Sequence, residues 1–187
     1  MNKMLEICIH ARAGQGSKTM AQFIAEAAAE KGYYVQAFPY YGPARSGAPM
    51  DAFVRISQKP IQVHSPVINP DILVVLDEAL IALENICLPL TKDQILIINT
   101  KKNIEEVEKA YKTHTRTYVV NGSGIALKHF KKDFANTVLL GTLSKITKQI
   151  ELKDFNKIVK NKFFRKYGQE MVDLNIKAIK EGFDAVK

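Results

Sequence analysis

Apolar and polar positions follow two different periods at the beginning of the chain. Residues 5–10 alternate, which predicts a strand, whereas apolar side chains across residues 20–28 recur at helical spacing and predict an amphipathic helix. A glycine turn separates these two elements, and Gly32 is expected to end the helix as its C-terminal cap. A further strand is predicted at residues 34–38. This unit of strand, turn, helix and strand is the building block of a parallel sheet.

The rest of the chain continues the alternation of strands and helices. Continuous apolar segments at residues 72–76 and 95–98 are typical of strands that are buried on both faces. Further strands are predicted at 51–57, 61–64 (an antiparallel return) and 116–120, and helices at 78–87, 104–112, 136–148, 153–165 and 169–185. The sequence therefore predicts one domain, 1–187, of the α/β class. Its expected architecture is a three-layer α/β/α sandwich with a mostly parallel, mixed sheet and a C-terminal helical segment at about 136–187.

Composition and cysteine usage narrow the class of protein. The chain has 187 residues, of which 47% are apolar and 25% charged, as expected of a soluble globular domain. Cys8 and Cys87 lie far apart in apolar segments, which argues against an iron–sulfur cluster held by this chain alone. The apolar run at 73–90 contains three acidic residues, and the N-terminal apolar stretch is too short for a signal peptide. We expect a cytoplasmic protein with no membrane partner.

Positive charge is concentrated in the second half of the chain. Residues 1–90 hold 7 Lys and Arg against 8 Asp and Glu, whereas residues 91–187 hold 20 against 11. A basic half can bind nucleic acid, but the lysines at 145–166 alternate with acidic and apolar residues at helical spacing. That pattern favours solvated helix faces, and we expect no nucleic-acid partner. A docking surface for an acidic partner protein is a less favoured alternative.

The first candidate for chemistry is the glycine turn at residues 10–19, HARAGQGSKT. A glycine turn between a strand and a helix lets backbone N–H groups approach an anion at the positive end of the helix dipole. The segment is neither a P-loop nor a complete dinucleotide-binding fingerprint, whose third glycine is replaced by Thr19. The candidate anion-binding residues are Gly14, Gln15, Gly16, Ser17, Lys18 and Thr19. The alternative is a tight turn that only packs the first helix against the sheet.

The second candidate is the segment at residues 38–49, FPYYGPARSGAP. Its glycines and prolines make the predicted loop, residues 39–49, stiffer than a plain linker, and its arginine could pair with an anionic group of a partner. Exposed aromatic side chains beside an arginine are typical of a subunit interface. The candidate interface residues are Tyr40, Tyr41, Gly42, Pro43, Arg45, Ser46, Gly47 and Pro49. The alternative is a surface loop with a solvated arginine.

The remaining polar residues do not predict catalysis or metal binding. The four histidines are scattered without the spacing of metal ligands, and His10 at the end of a strand is expected to be packed. Asp77 follows a buried strand, and we expect it to cap a helix. Asn121–Gly122 is predicted to form a turn. No catalytic residue and no metal ligand is therefore predicted.

Together, the GQG turn and the segment VQAFPYYGPARSGAPMDAFVRIS resemble the gamma subunits of pyruvate and related 2-oxoacid:ferredoxin oxidoreductases. The resemblance continues through HSPVINPDILVVLDEAL, NTVLLG, IVKNKFF and IKAIKEGF, and so covers nearly the whole chain. Three departures stand out. Ala13 replaces a glycine that is usual in the family, and Ala44 and Ser46 replace an acid and an arginine of the second loop. Arg45 is the one charged position of that loop that the resemblance carries over.

The resemblance implies an accessory role in an enzyme of several subunits. The family oxidises pyruvate with coenzyme A (CoA) to acetyl-CoA, CO2 and reduced ferredoxin or flavodoxin. Thiamine diphosphate, Mg²⁺ and the iron–sulfur clusters are then expected on the alpha, beta and delta-type partners, and this chain is expected to bind no cofactor alone. Its implied role is assembly, with a further role near the CoA route. Alternatives are a free-standing nucleotide- or CoA-binding α/β protein, and a family member acting on 2-oxoglutarate, a branched-chain oxoacid or indolepyruvate.

Overall fold

The computed structural model describes residues 3–41, 47–84, 86, 90–113, 115–147 and 149–186. Six strands and six helices are assigned there. In chain order they are β1 (Leu5–Arg12), α1 (Ser17–Glu30), β2 (Tyr34–Tyr41), β3 (Pro49–Ser57), β4 (Ile72–Val75), α2 (Ala79–Glu84), β5 (Ile95–Asn99), α3 (Ile104–Tyr111), β6 (Arg116–Val120), α4 (Gly122–Phe130), α5 (Ala135–Thr147) and α6 (Leu152–Asp184). None of the helices assigned in these residues combines the length and apolar character needed to cross a membrane.

The strands form one mixed sheet in the order β2-β3-β1-β4-β5-β6. β1, β4, β5 and β6 pair in parallel, whereas β3 runs antiparallel to both β1 and β2. β1 is therefore hydrogen-bonded on one side to an antiparallel ribbon and on the other to the parallel strands. The predicted α/β fold with a mostly parallel, mixed sheet is confirmed.

Helices cover both faces of the sheet. On one face Ile7 and Ile9 of β1 join a core that includes the predicted apolar stripe of α1 and buried residues of α5 and α6. On the other face Cys8 joins a smaller core that includes Ile81 of α2 and Val107 of α3. The chain thus forms the three layers predicted from the sequence.

One buried charge explains how the segment after β3 packs. Arg55 is only 1% exposed, and its guanidinium Nε donates to Glu6 Oε1 at 2.8 Å. Its Nη1 donates to Gln36 Oε1 and to the carbonyl oxygen of Val63, each at 3.3 Å. Residues 61–64 therefore lie beside the Arg55 side chain, and Val63 supplies one of its hydrogen-bond acceptors. These residues form no strand, so the prediction of an antiparallel return strand there was wrong. A buried cation needs such acceptors because desolvation otherwise makes burial costly.

Other boundaries differ from the sequence predictions for local reasons. β2 continues to Tyr41 and β3 begins at Pro49, so the predicted loop 39–49 is shorter than expected. Asn121–Gly122 is not an isolated turn, because the Asn121 side chain accepts from the Gly124 amide at 2.9 Å and caps α4. α4 itself was not predicted.

α6 consists of two helical segments that meet at Gly168. The backbone there has φ 76° and ψ 179°, a conformation essentially restricted to glycine. This break agrees with the two helices predicted at 153–165 and 169–185.

α5 and α6 cross at very close range through two glycines. A Cβ atom at Gly141 would lie 1.8 Å from the carbonyl oxygen of Ile179, and one at Gly182 would lie 2.1 Å from that of Val138. The Thr142 hydroxyl also donates to the Gly182 carbonyl at 3.1 Å. The C-terminal helices are thus in direct backbone contact.

Candidate functional site

The glycine turn between β1 and α1 requires glycine at two positions. Gly14 and Gly16 have φ of 100° and 84°, in the left-handed region that side chains disfavour. A Cβ at Gly16 would also lie 2.6 Å from Asn136 Nδ2, and that amide donates to the Gly16 carbonyl oxygen at 3.3 Å. The beginning of α5 therefore packs directly on the turn.

A polar network around Asp77 holds this turn against the next parallel strand. Arg12 Nε donates to Asp77 Oδ2 at 2.8 Å, and Gln15 Nε2 donates to the same oxygen at 3.3 Å. Asp77 Oδ1 accepts from the Ala79 amide at 3.0 Å, which agrees with the capping role predicted from the sequence. Sequence reasoning did not identify Arg12, because its partner is 65 residues away.

Arg12 also connects the glycine turn to the second candidate segment. Its Nη1 donates to the carbonyl oxygen of Gly47 at 3.2 Å, and the Ala13 amide donates to that of Ala48 at 2.9 Å. The two segments selected from the sequence are therefore neighbours at one end of β1 and β3. This proximity depends on the insertion of β3 between β1 and β2.

The six candidate residues of the turn point to different places. Gln15 lines a cavity at the carboxyl ends of the parallel strands, whereas Lys18 lines a separate groove between α1 and β2. Ser17 is buried, and its hydroxyl oxygen makes no hydrogen bond within the described ranges. Thr19 is exposed. The structure thus does not bring the four side chains of this set, those of Gln15, Ser17, Lys18 and Thr19, together on one ligand.

The cavity at the carboxyl ends of β1, β4, β5 and β6 has a volume of about 430 Å³ and a strongly polar lining. Its lining includes Gln15, Asp77, Glu78, Asn99, Ser123 and Asp133. This edge of an α/β sheet is the usual place for ligands. The lining combines three carboxylates with Lys101, and two of the carboxylates are already paired, Asp77 with Arg12 and Glu78 with Lys102.

Asn99 organises the floor of the cavity. Its Nδ2 donates to the Leu76 carbonyl oxygen and to Ser123 Oγ, each at 2.9 Å, while its Oδ1 accepts from the Ser123 amide at 3.0 Å. Ser123 Oγ in turn donates to Asp133 Oδ2 at 2.8 Å. The sequence prediction missed these residues, although the position of Asn99 at the end of β5 and that of Ser123 shortly after β6 were an available signal.

Glu78, which lines the cavity, connects the segment after β4 to the segment after β5. Burial of its carboxyl group raises its pKa, but hydrogen bonds from Thr100 and Lys102 outweigh that effect and lower the pKa overall. Lys102 Nζ lies 2.9 Å from Glu78 Oε2, and this bond raises the pKa of the lysine. The ionised Glu78 carboxylate therefore holds the segment that follows β5, through Thr100 and Lys102.

The second candidate segment is only partly described. Tyr40 is 50% exposed and its ring centroid lies 6.1 Å from that of Phe53. Tyr41 pairs with Met50 in the sheet, and Gly47 has φ 83° just before Pro49 begins β3. The other interface candidates, Gly42, Pro43, Arg45 and Ser46, lie outside the described residues.

His10 is buried between two carboxylates, in agreement with its predicted packed role. Its Nδ1 lies 2.6 Å from Asp51 Oδ1 and its Nε2 lies 3.3 Å from Glu84 Oε2. Cys8 Sγ donates to Asp51 Oδ1 at 3.5 Å. Burial, reinforced by the negative charge of Asp51, raises the pKa of the Cys8 thiol well above its usual value. The thiol is therefore poorly suited to act as a nucleophile or a metal ligand.

The described residues do not fit the metal cofactors of an oxidoreductase. No group of three or more His, Cys, Asp and Glu side chains is placed there to hold a metal ion. These described residues therefore offer no ready set of ligands for a metal cofactor.

Comparison with known proteins identifies the family. Residues 6–185 match the family model described as pyruvate ferredoxin/flavodoxin oxidoreductase. The pyruvate synthase subunit PorC of Thermotoga maritima is 44% identical over 185 residues, which cover 99% of this chain and 96% of that protein. The pyruvate/ketoisovalerate oxidoreductases common subunit gamma of Pyrococcus abyssi is 38% identical over 97% of this chain and 96% of its own.

Solved structures agree with this comparison. The crystal structure of pyruvate oxidoreductase subunit PORC from Thermotoga maritima has a TM-score of 0.87 at 42% identity and covers 99% of this chain and 98% of its own. A 2-oxoglutarate:ferredoxin oxidoreductase from Magnetococcus marinus has the same fold, with a TM-score of 0.82 at 20% identity. In that protein the fold occupies 31% of a longer chain, and 99% of this chain is covered. The chain described here therefore belongs to the pyruvate ferredoxin/flavodoxin oxidoreductase family, as its two glycine-containing segments predicted.

Proposed function

We propose that this chain is the gamma subunit of a pyruvate:ferredoxin or flavodoxin oxidoreductase. The whole complex would convert pyruvate and CoA to acetyl-CoA and CO2, and pass two electrons to the acceptor. The observation that carries the proposal is the 44% identity, along almost the full length of both chains, to a pyruvate synthase subunit. Pyruvate is the proposed substrate because the relative at 44% identity is a pyruvate synthase subunit, while the name of the relative at 38% identity gives both pyruvate and ketoisovalerate.

The proposed role of this chain is assembly of the complex. Its partners would be alpha, beta and delta-type subunits, which would hold thiamine diphosphate, Mg²⁺ and the iron–sulfur clusters. The names of the relatives, each of which is one subunit of an oxidoreductase, support the presence of partner subunits. A cytoplasmic location follows from the proposed partners.

The test is purification of the tagged chain from its native host, followed by identification of what accompanies it. We expect the other oxidoreductase subunits and CoA-dependent oxidation of pyruvate with ferredoxin or flavodoxin as acceptor. Recovery of the chain without such subunits would refute the proposal. Preferential oxidation of 2-oxoglutarate, ketoisovalerate or indolepyruvate would refute only the choice of substrate.

The segment around Arg45 is the proposed primary interface. Tyr40 stands half exposed at the end of β2, and the chain continues from there into the family's most recognisable segment. Tyr and Arg side chains are enriched in the centres of interfaces. Arg45→Glu should weaken assembly by about 2–5 kcal/mol if the guanidinium pairs with a buried charge. Lys59→Glu, beyond the other end of β3, is the matched control, and equal assembly of both variants would refute this interface.

A contact with CoA is the second part of the proposal, and the glycine turn would make it. The first turn of α1 contains no acidic residue, and Lys18 is exposed beside it. Helix N-termini with a lysine attract phosphate groups. Lys18→Ala should therefore raise the KM for CoA in the assembled complex and leave the KM for pyruvate unchanged. Unchanged values for both would leave the turn with a packing role only.

A further inference from the structure

The two segments of α6 meet in a corner that projects into solvent. Residues 164–170 are all exposed, although the chain is helical on both sides of Gly168. The first segment is buried through Phe155, Ile158 and Val159, and the second through residues such as Val172 and Ile179. Because a helix that packs on the core buries one face, seven consecutive exposed residues indicate that the corner leaves the core.

The corner has an unusual composition for this surface. Residues 160–167, KNKFFRKY, contain four cations, three aromatic side chains and no acid. We call these eight residues the α6 corner. Elsewhere on the described surface the lysines of the C-terminal half repeatedly pair with carboxylates, as in Lys128 with Glu181 and Lys180 with Asp184.

Most cations of the α6 corner lack such partners. Lys162 Nζ lies 2.7 Å from Glu26 Oε1, which ties the corner to α1. Lys160, Arg165 and Lys166 form no ion pair with any carboxylate in the described part of the chain. Three uncompensated cations within two turns of helix repel one another, and an acidic partner would relieve that repulsion.

Two of the three aromatic side chains of the corner, Phe163 and Tyr167, are connected to the protein core. Phe23 of α1 is buried, and the ring of Phe163 lies 5.8 Å from it between centroids. Tyr167 continues the series at 5.6 Å from Phe163, and Lys166 Nζ lies 5.1 Å from the Tyr167 ring. Tyr167 and Phe164 nevertheless remain 50% and 51% exposed. Rings that are already oriented lose little conformational entropy when a partner covers them.

We propose that the α6 corner is a second docking surface, which binds an acidic face with an apolar centre on another subunit of the same complex. The inference rests on the proposed function. Exposed rings flanked by arginine and lysine match the composition of protein interfaces, where aromatic residues and Arg supply most of the affinity. Unpaired lysines such as Lys92 and Lys109 lie elsewhere in the chain, whereas on α6 the lysines just before the corner, Lys153 and Lys157, are paired. The corner is therefore a compact group of unpaired cations, whereas a nucleic acid or a lipid surface attracts an extended basic surface.

The experiment uses the assembled complex from the native host, with the chain replaced by its variants. Dissociation of this chain is followed by mass photometry on dilution, at ionic strengths of about 0.05 M and about 0.5 M. The test variants are Phe164→Ala and the triple reversal Lys160→Glu, Arg165→Glu, Lys166→Glu. The matched control is Lys59→Glu, Lys92→Glu, Lys109→Glu, which changes net charge equally at exposed lysines without ion pairs in the described residues. Thermal unfolding of each isolated chain verifies that it remains folded.

We expect the triple reversal to raise the dissociation constant at least about tenfold at low ionic strength, and much less at high ionic strength. Phe164→Ala should raise it at both ionic strengths, and the control should stay within about twofold of wild type. Corner variants that behave like the control would overturn this inference and leave the proposed function intact. Loss of binding to anionic vesicles or single-stranded DNA with unchanged assembly would assign the corner to lipid or nucleic acid instead. A wild-type chain that co-purifies with no oxidoreductase subunit would overturn both proposals.

Discussion

Gly141→Ala is expected to separate the two C-terminal helices. The added Cβ would lie 1.8 Å from the Ile179 carbonyl oxygen and 2.8 Å from the Phe183 amide nitrogen. Both neighbours are backbone atoms of α6, so no side-chain rotation can relieve the overlap. An ordinary carbon–oxygen contact needs about 3.3 Å, and α6 would therefore have to move away by about 1.5 Å.

The magnitude follows from two opposing effects. A gap of about 1 Å already removes up to about half of the dispersion energy of each contact, and α5 packs on α6 along its buried face. Overpacking of this kind typically costs about 1–3 kcal/mol, and more where backbone must move. Alanine itself favours the helix by about 1 kcal/mol relative to glycine. We expect a net loss of about 2 kcal/mol in the free energy of unfolding, or roughly 4–8 °C in Tm for a chain of this length.

Urea denaturation of the isolated chain measures this loss directly. Gly182→Ala serves as the reciprocal variant, because its Cβ would lie 2.1 Å from the Val138 carbonyl oxygen. Once the helices have parted, the second substitution should cost less, so the double variant should be destabilised by less than the sum of the two. A Gly141→Ala chain at least as stable as wild type would refute the close crossing.

Three further outcomes are expected. Gly16→Ala should lower the free energy of unfolding by about 2 kcal/mol in urea titrations, because Gly16 has a positive φ and the added Cβ would overlap with Asn136. The double variant Gly16→Ala, Asn136→Ala should regain part of this stability. A Gly16→Ala chain as stable as wild type would contradict the turn geometry. Arg55→Ala should lower the free energy of unfolding by about 3 kcal/mol in the same assay, because the Glu6 carboxylate loses its partner. The double variant Arg55→Met, Glu6→Gln should lose less stability, because it leaves no unpaired charge. An equal loss in both variants would argue against the ion pair. The pKa of Cys8 is raised in the folded state, so its contribution to stability is complete below the unfolded thiol pKa of about 8.5 and is lost as pH rises above it. Urea titrations from pH 7 to 10 should show a steeper decline for wild type than for Cys8→Ala, and parallel curves would rule this effect out.

Local periodicity predicted most of the elements correctly. The apolar stripe from Met20 to Ala28 and the continuous apolar strand at Ile72–Val75 are buried as expected, because these patterns depend only on neighbouring residues. The glycine turn was also predicted, and so were two separate helices at 153–165 and 169–185, which agree with the break in α6. The helix α4 was missed because Asn121–Gly122 has the composition of a turn.

Features that depend on distant residues were not predictable from one sequence. Nothing in β2 or β3 indicates that β3 inserts beside β1, and this insertion places Gly47 within reach of Arg12. The Arg12–Asp77 ion pair depends in the same way on the adjacency of β1 and β4. The separation of Gln15 and Lys18 into different surface cavities likewise follows from the orientation of α1. Motif reasoning therefore located the segments but not the direction of each side chain.

The position of β1 has a consequence for the cooperativity of folding. It pairs with β3 over Leu5–Arg12 and with β4 over Ile7–His10, and so is the one strand that joins the antiparallel ribbon to the parallel strands. The antiparallel ribbon and the parallel strands can each detach only if the hydrogen bonds between them and β1 break. Amide protons of β1 should therefore exchange with deuterium only when the whole sheet opens, whereas those of the edge strands β2 and β6 can exchange through local fraying.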